Sequence, residues 1–91
     1  MKATHILVVQ AGWVFVGSMP KVPTKDDPTG GSEIVTLEDS ACVRQWGTTR
    51  GLGEIAIGGP TSETILDPCG RVQVPRNSVL FWIPVDQKKW V

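Results

Sequence analysis

The apolar residues of this chain come in short runs with the spacing of strands, interrupted by glycines, prolines and charges. Residues 4–17 read THILVVQAGWVFVG, two β-branched and aromatic runs split by Gln10-Ala11-Gly12. This predicts either a hairpin or one strand bent at a glycine bulge, and the hairpin is favoured because Gly12 supplies the positive φ that a tight turn needs. Trp13 and Phe15 fall on one face of the second run and Val14 and Val16 on the other. Both faces are apolar, as in a strand that is central or covered. Residues 19–32 (MPKVPTKDDPTGGS) then break every period and are expected to form a mobile loop.

Beyond the loop, Glu33 to Leu37 reads as a strand, Glu38-Asp39-Ser40 as a polar turn and Ala41 to Trp46 as an alternating strand. A short helix over 37–45, with Cys42, Val43 and Trp46 as its apolar stripe, is the competing reading. Leu52, Ile55 and Ala56 stand at i, i+3 and i+4 ahead of Gly58-Gly59-Pro60, which predicts two turns of helix with a clear stop. A helix that short needs a sheet to pack on. Extended pieces follow at 64–66 and 70–75, with Val72 and Val74 inward, then a turn at Arg76-Asn77-Ser78. Val79 to Val85 is the strongest strand signal. Simple alternation puts Val79, Phe81, Ile83 and Val85 on one face, and Leu80, Trp82 and Pro84 on the other. Pro84 cannot donate to a ladder, so that strand has an edge. Residues 86–91 read as a polar tail apart from Trp90 and Val91. The fold class expected is α+β, mostly β: one domain over 1–91, a small antiparallel meander or partly closed barrel of five or six strands with one short helix.

Composition narrows the function. At 91 residues there is room for one core and no second lobe, so a substrate cleft would need a second subunit. Nine basic and nine acidic residues cancel, which argues against a nucleic-acid binder held by phosphate contacts and against an acidic mimic of DNA. No apolar run approaches the ~20 residues of a membrane-spanning helix. Cys42 and Cys69, without a secretory leader ahead of them, are expected to be free thiols of an intracellular protein. One histidine and no C-x-x-C pair leave no metal site, and no cofactor is expected.

Two groups of residues are candidates for binding. Gly51-Leu52-Gly53-Glu54-Ile55-Ala56 matches the dinucleotide fingerprint in form, but that motif needs a long helix inside a βαβ unit and an acidic residue about 20 positions on. The weaker reading that survives is an anion nest at Gly51 and Gly53 beside Thr49 and Arg50, with Trp46 able to stack on a nucleotide-like ligand. The second group is aromatic. Four tryptophans are many for so small a core, and Trp13, Leu80, Trp82 and Trp90 are candidates for a protein interface, to a second copy or to a target. No nucleophile and base stand in a recognisable arrangement: His5 lies in a strand-like run and the serines lie in turns. A non-enzymatic role follows.

Three strings together resemble a family of short phage- and prophage-encoded proteins whose role is undefined. They are Ala11 to Gly17; Val35-Thr36-Leu37 with Asp39, Ala41, Val43 and Trp46; and Gly51 to Ala56 closing at Gly59, followed by a Val-x-Val-Pro strand and an apolar final strand. They span about three quarters of the chain. The proline-rich loop and the Cys69-Gly70 turn depart from the pattern, so loop-borne properties need not transfer. The resemblance favours turn and strand over helix at 38–46 and brings no catalytic residues. It implies a phage accessory protein acting in a bacterial cytoplasm; from that class of protein, engagement of a host bacterial protein such as a defence factor is the role expected, with a small-ligand binder and a virion or assembly component as the alternatives.

Overall fold

The computed structural model describes residues 2–19, 33–47 and 51–90. Five strands, β1 (His5–Val9), β2 (Trp13–Ser18), β3 (Ile34–Gln45), β4 (Ile65–Pro75) and β5 (Val79–Pro84), form one antiparallel sheet in the order β4-β3-β2-β1-β5. Among the described residues one α-helix, α1 (Leu52–Gly58), lies between β3 and β4, and 3-10 turns occupy Gln10–Gly12, Arg76–Ser78 and Gln87–Lys89. The chain is therefore mostly β with one short helix, as its pattern predicts. The hairpin turn takes positive φ at both Ala11 and Gly12, which matches the right-handed twist of the strands it joins.

The sheet is curled but does not close. β4 and β5 are its two edges, yet Pro75 and Val79 are only four residues apart. Four residues reach about 14 Å, whereas four strand spacings in a flat sheet span about 19 Å. The edges must therefore bend towards each other at this end, and Arg76 N–H donates to Glu33 O at 2.7 Å to hold the crossing. No ladder joins β4 to β5 among the described residues.

The curl produces two cores. On one face Ile6, Val8, Val14, Val16, Ala41 and Val43 pack beneath Ile55 and Ala56 of α1. On the other, Leu7 and Val9 meet Val35 and Leu37, with Phe15, Val74, Val79 and Trp82 around them. β3 thus serves both cores with residues of the same parity, which a regular strand cannot do. The reason is one extra residue at Asp39, held at φ 46°, where the pairing with β4 shifts between Leu37 and Ser40. The polar stretch at 38–40 that reads as a turn between two strands is therefore a bulge inside one twelve-residue strand, and the helical reading of 37–45 does not hold. The extended pieces expected at 64–66 and 70–75 likewise form one strand, β4, which starts at Ile65 and runs through Asp67-Pro68-Cys69, with Gly70 at φ 70°.

At this corner Gly17 has no room for a side chain: a Cβ there would stand 2.8 Å from Ser40 Cβ and 3.1 Å from Glu38 O. Ser40 is buried, and its hydroxyl donates to Gly70 O at 2.7 Å. A second bulge lies in β5. Val79 pairs with Val9 and Phe81 with Val8, leaving Leu80 as the extra residue. This overturns simple alternation: Val79 joins Trp82 on the second core, and Phe81 stays on the Ile83 side.

The tail is a correction too. Val85 N–H donates to Thr4 O, Asp86 N–H to Ala56 O, and the chain then turns to bring Trp90 under the helix. Met19, read as the first residue of the mobile loop, is buried in the second core; the rest of that loop lies outside the described residues.

Candidate functional site

Of the anion-nest candidate, the described residues are Trp46, Gly51 and Gly53. Thr49 and Arg50 lie outside the described residues. Gly51, at φ 85°, caps a helix of seven residues, and the Trp46 ring packs over it, 3.4 Å from where its Cβ would be. Gly53 faces open space. Glu54 stands in the first helical turn, where its negative charge opposes an anion. The neighbouring polar groups serve the loop itself: Thr61 Oγ1 donates to Gly47 O at 2.8 Å, Thr64 Oγ1 to Trp46 O at 2.6 Å, and Gln45 Nε2 to Glu63 O at 2.7 Å. The glycines here make a tight strand-to-helix connection.

The aromatic candidates divide. Trp90 is no surface residue: it is 2% exposed, packs in the first core, and its indole N–H donates to Ala56 O at 3.3 Å. An indole one turn beyond β5 covers apolar area that the short helix leaves open, which gives it more reason to be inside than out. Trp82 is half-buried on the second core, with the Arg76 guanidinium 5.4 Å above its ring. Trp13 and Leu80 are exposed, at 58% and 60%. Phe81, opposite Val8, is 47% exposed.

The pairing register gathers three of these residues. Trp13 is opposite Val9 on β2, Phe81 is opposite Val8 on β5, and Leu80 bulges between Val79 and Phe81. They lie at the Val8–Val9 end of β1 on both faces of the sheet: Trp13 shares the second-core face with Val9 and stacks on Phe15 with ring centroids 6.3 Å apart, whereas Phe81 shares the first-core face with Val8 and Ile83. The adjoining edge is poorly suited to strand addition. Val85 bonds to Thr4, so by antiparallel alternation Ile83 and Phe81 also face β1, while Trp82 and Pro84 point outward. Pro84 has no N–H to offer there, and the Leu80 bulge distorts the other end.

The remaining polar features are structural. Arg71 Nε donates to Glu38 Oε1 at 2.7 Å and Arg44 Nε to Asp67 Oδ2 at 2.9 Å, two exposed cross-strand pairs on β3 and β4. The Arg71 pairing holds the Glu38 carboxyl below its ordinary range. An open cavity of about 360 Å³ is lined by Lys2, Ala3, Thr4, Ser18 and Gln87, and the Thr4 hydroxyl in it is already engaged by Met19 N–H and His5 Nδ1. Among the described residues no cluster of histidine, cysteine or carboxylate side chains fits a metal ion, and no helix is long and apolar enough to cross a membrane. No family model, no curated protein and no solved structure matches the chain.

Proposed function

We propose that this chain is a non-enzymatic binding protein that docks a protein partner against the apolar end of β2, β1 and β5. The observation that carries this reading is that Trp13, Leu80 and Phe81 are all exposed at one end of the fully buried strand β1, Trp13 on the second-core face and Phe81 on the first. Aromatic and branched side chains that remain solvated in a chain this small are the usual anchors of a protein interface. Pro84 and the bulge disfavour a partner that adds a strand, so recognition runs through side chains. The resemblance to short phage proteins makes a host bacterial protein, such as a defence factor, the partner we propose.

The test compares wild type with Leu80→Asp and Trp13→Ser as immobilised baits for bacterial lysate, followed by titration of the identified partner in purified form. Both substitutions are at exposed positions and should leave melting temperature within a few degrees of wild type. The reading predicts at least a tenfold loss of affinity for the purified partner. Equal affinity across the three proteins would refute it.

A further inference from the structure

Cys42 and Cys69 are the only cysteines, and both are free. Cys42 is half-buried on β3 and Cys69 is exposed on β4. The ladder brings them near one another. Cys42 is opposite Asp67, Ala41 is opposite Pro68 and Ser40 is opposite Gly70, so Cys69 is an unpaired bulge residue. Without the bulge the two cysteines would be offset by two residues; with it the offset is about one and a half, or about 5 Å along the strand and about 5 Å across it. The resulting Cα separation of about 7 Å lies just beyond the usual disulfide range, so closure needs a small backbone movement at the bulge, where the ladder is already disrupted. The thiols also share a neighbour: Cys69 Sγ is turned back to Asp67 O at 3.3 Å, beside Cys42's own strand partner.

We propose that Cys42 and Cys69 are a dithiol site that closes to a single cross-strand disulfide when the protein meets a small-molecule disulfide oxidant. The exposed Cys69 reacts first. Its thiolate attacks one sulfur of oxidised glutathione; the glutathione S–S bond breaks, and the leaving thiolate takes up a proton as reduced glutathione. Cys42 then loses its proton and attacks Cys69 Sγ, which breaks the mixed disulfide and releases the second glutathione as its thiol. Two protein thiols are oxidised and one glutathione disulfide is reduced. Burial, with the Cys69 and Asp67 charges, pushes the Cys42 thiol up, which agrees with its acting second. The disulfide would fasten edge strand β4 to β3 beside the corner that separates the two cores.

The experiment is native incubation with oxidised glutathione, read by thiol titration and intact mass. Wild type should fall from two free thiols to none, lose the mass of two hydrogens and retain no glutathione. Cys42→Ser should stop with one glutathione on Cys69, and Cys69→Ser should keep its remaining thiol over the same period. The oxidised wild type should melt at a higher temperature than the reduced protein, and reductant should reverse the gain. A stable glutathione adduct on wild type, disulfide-linked dimers, or loss of thiols only in denaturant would each overturn the proposal.

Discussion

The two cores of this sheet are closed in different ways. The first is roofed by separate pieces of chain: Ile55 and Ala56 from a seven-residue helix, and Trp90 from beyond the last strand. The second is closed by the sheet itself, which turns a corner at Asp39 and Gly70 and folds Val35, Leu37 and Val74 onto Leu7 and Val9. A roof depends on a few large side chains, whereas a corner depends on the backbone at a few tight positions. The two therefore respond to different substitutions.

Removing the roof should have the largest effect. Trp90→Ala deletes the largest fully buried side chain and its hydrogen bond to Ala56 O. Truncating a buried aromatic costs about 3–5 kcal/mol, a large part of the stability of so small a domain. Chemical denaturation should show this loss together with increased binding of a hydrophobic dye; a loss below 1 kcal/mol would show that the roof is dispensable.

Gly17→Ala tests the corner without removing any apolar surface. The new methyl would meet Ser40 Cβ and the Glu38 carbonyl, and neither is the far end of a flexible chain. A cost of about 1–3 kcal/mol is expected. Ser40→Ala is gentler: it keeps the volume and leaves the Gly70 carbonyl without its donor, for about 1 kcal/mol. If the corner is one unit, the double substitution should cost less than the sum of the two, since the clash with Ser40 Cβ already displaces the residue whose hydroxyl makes the hydrogen bond. Strict additivity would mean that the two positions act separately.

Much of this arrangement is legible in the chain. The hairpin at Gly12, the helix from Leu52 with its stop at Gly59, and the edge position of the strand ending at Pro84 follow from local rules of period and turn chemistry, and the structure has them. The bulges at Asp39 and Leu80 are harder to read. Each inserts one residue, and nothing in a run of alternating residues marks where the alternation slips. Asp39 does carry a signal, since aspartate tolerates positive φ better than most residues, but the same signal describes a turn. Trp90 is misread for another reason. Its neighbours Gln87, Lys88 and Lys89 are polar and exposed, and only the tertiary fold shows that one indole completes the first core. The grouping of Trp13, Leu80 and Phe81 depends on register across three strands, which no local window contains.

The smallest effect separates the cores by pH. His5 is buried and shares its strand face with Leu7 and Val9, and it has Thr4 Oγ1 2.8 Å from Nδ1. Burial lowers its pKa below the ordinary 6.5, because the charged ring would lose hydration. The unfolded chain therefore takes up a proton at a higher pH than the folded one. The stability held by the neutral ring is fully present above about pH 6.5 and is lost as pH falls through that value towards the folded-state pKa. Glu38 acts in the same direction but lower, since Arg71 depresses its carboxyl below the ordinary 4.5. Between pH 7.5 and 5.5 the wild-type denaturation midpoint should therefore decline, and His5→Asn should flatten the decline while Trp90→Ala leaves its slope unchanged. An unchanged slope in His5→Asn would mean that the ring keeps its proton equilibrium on folding, and that the second core does not exclude water from its end of β1.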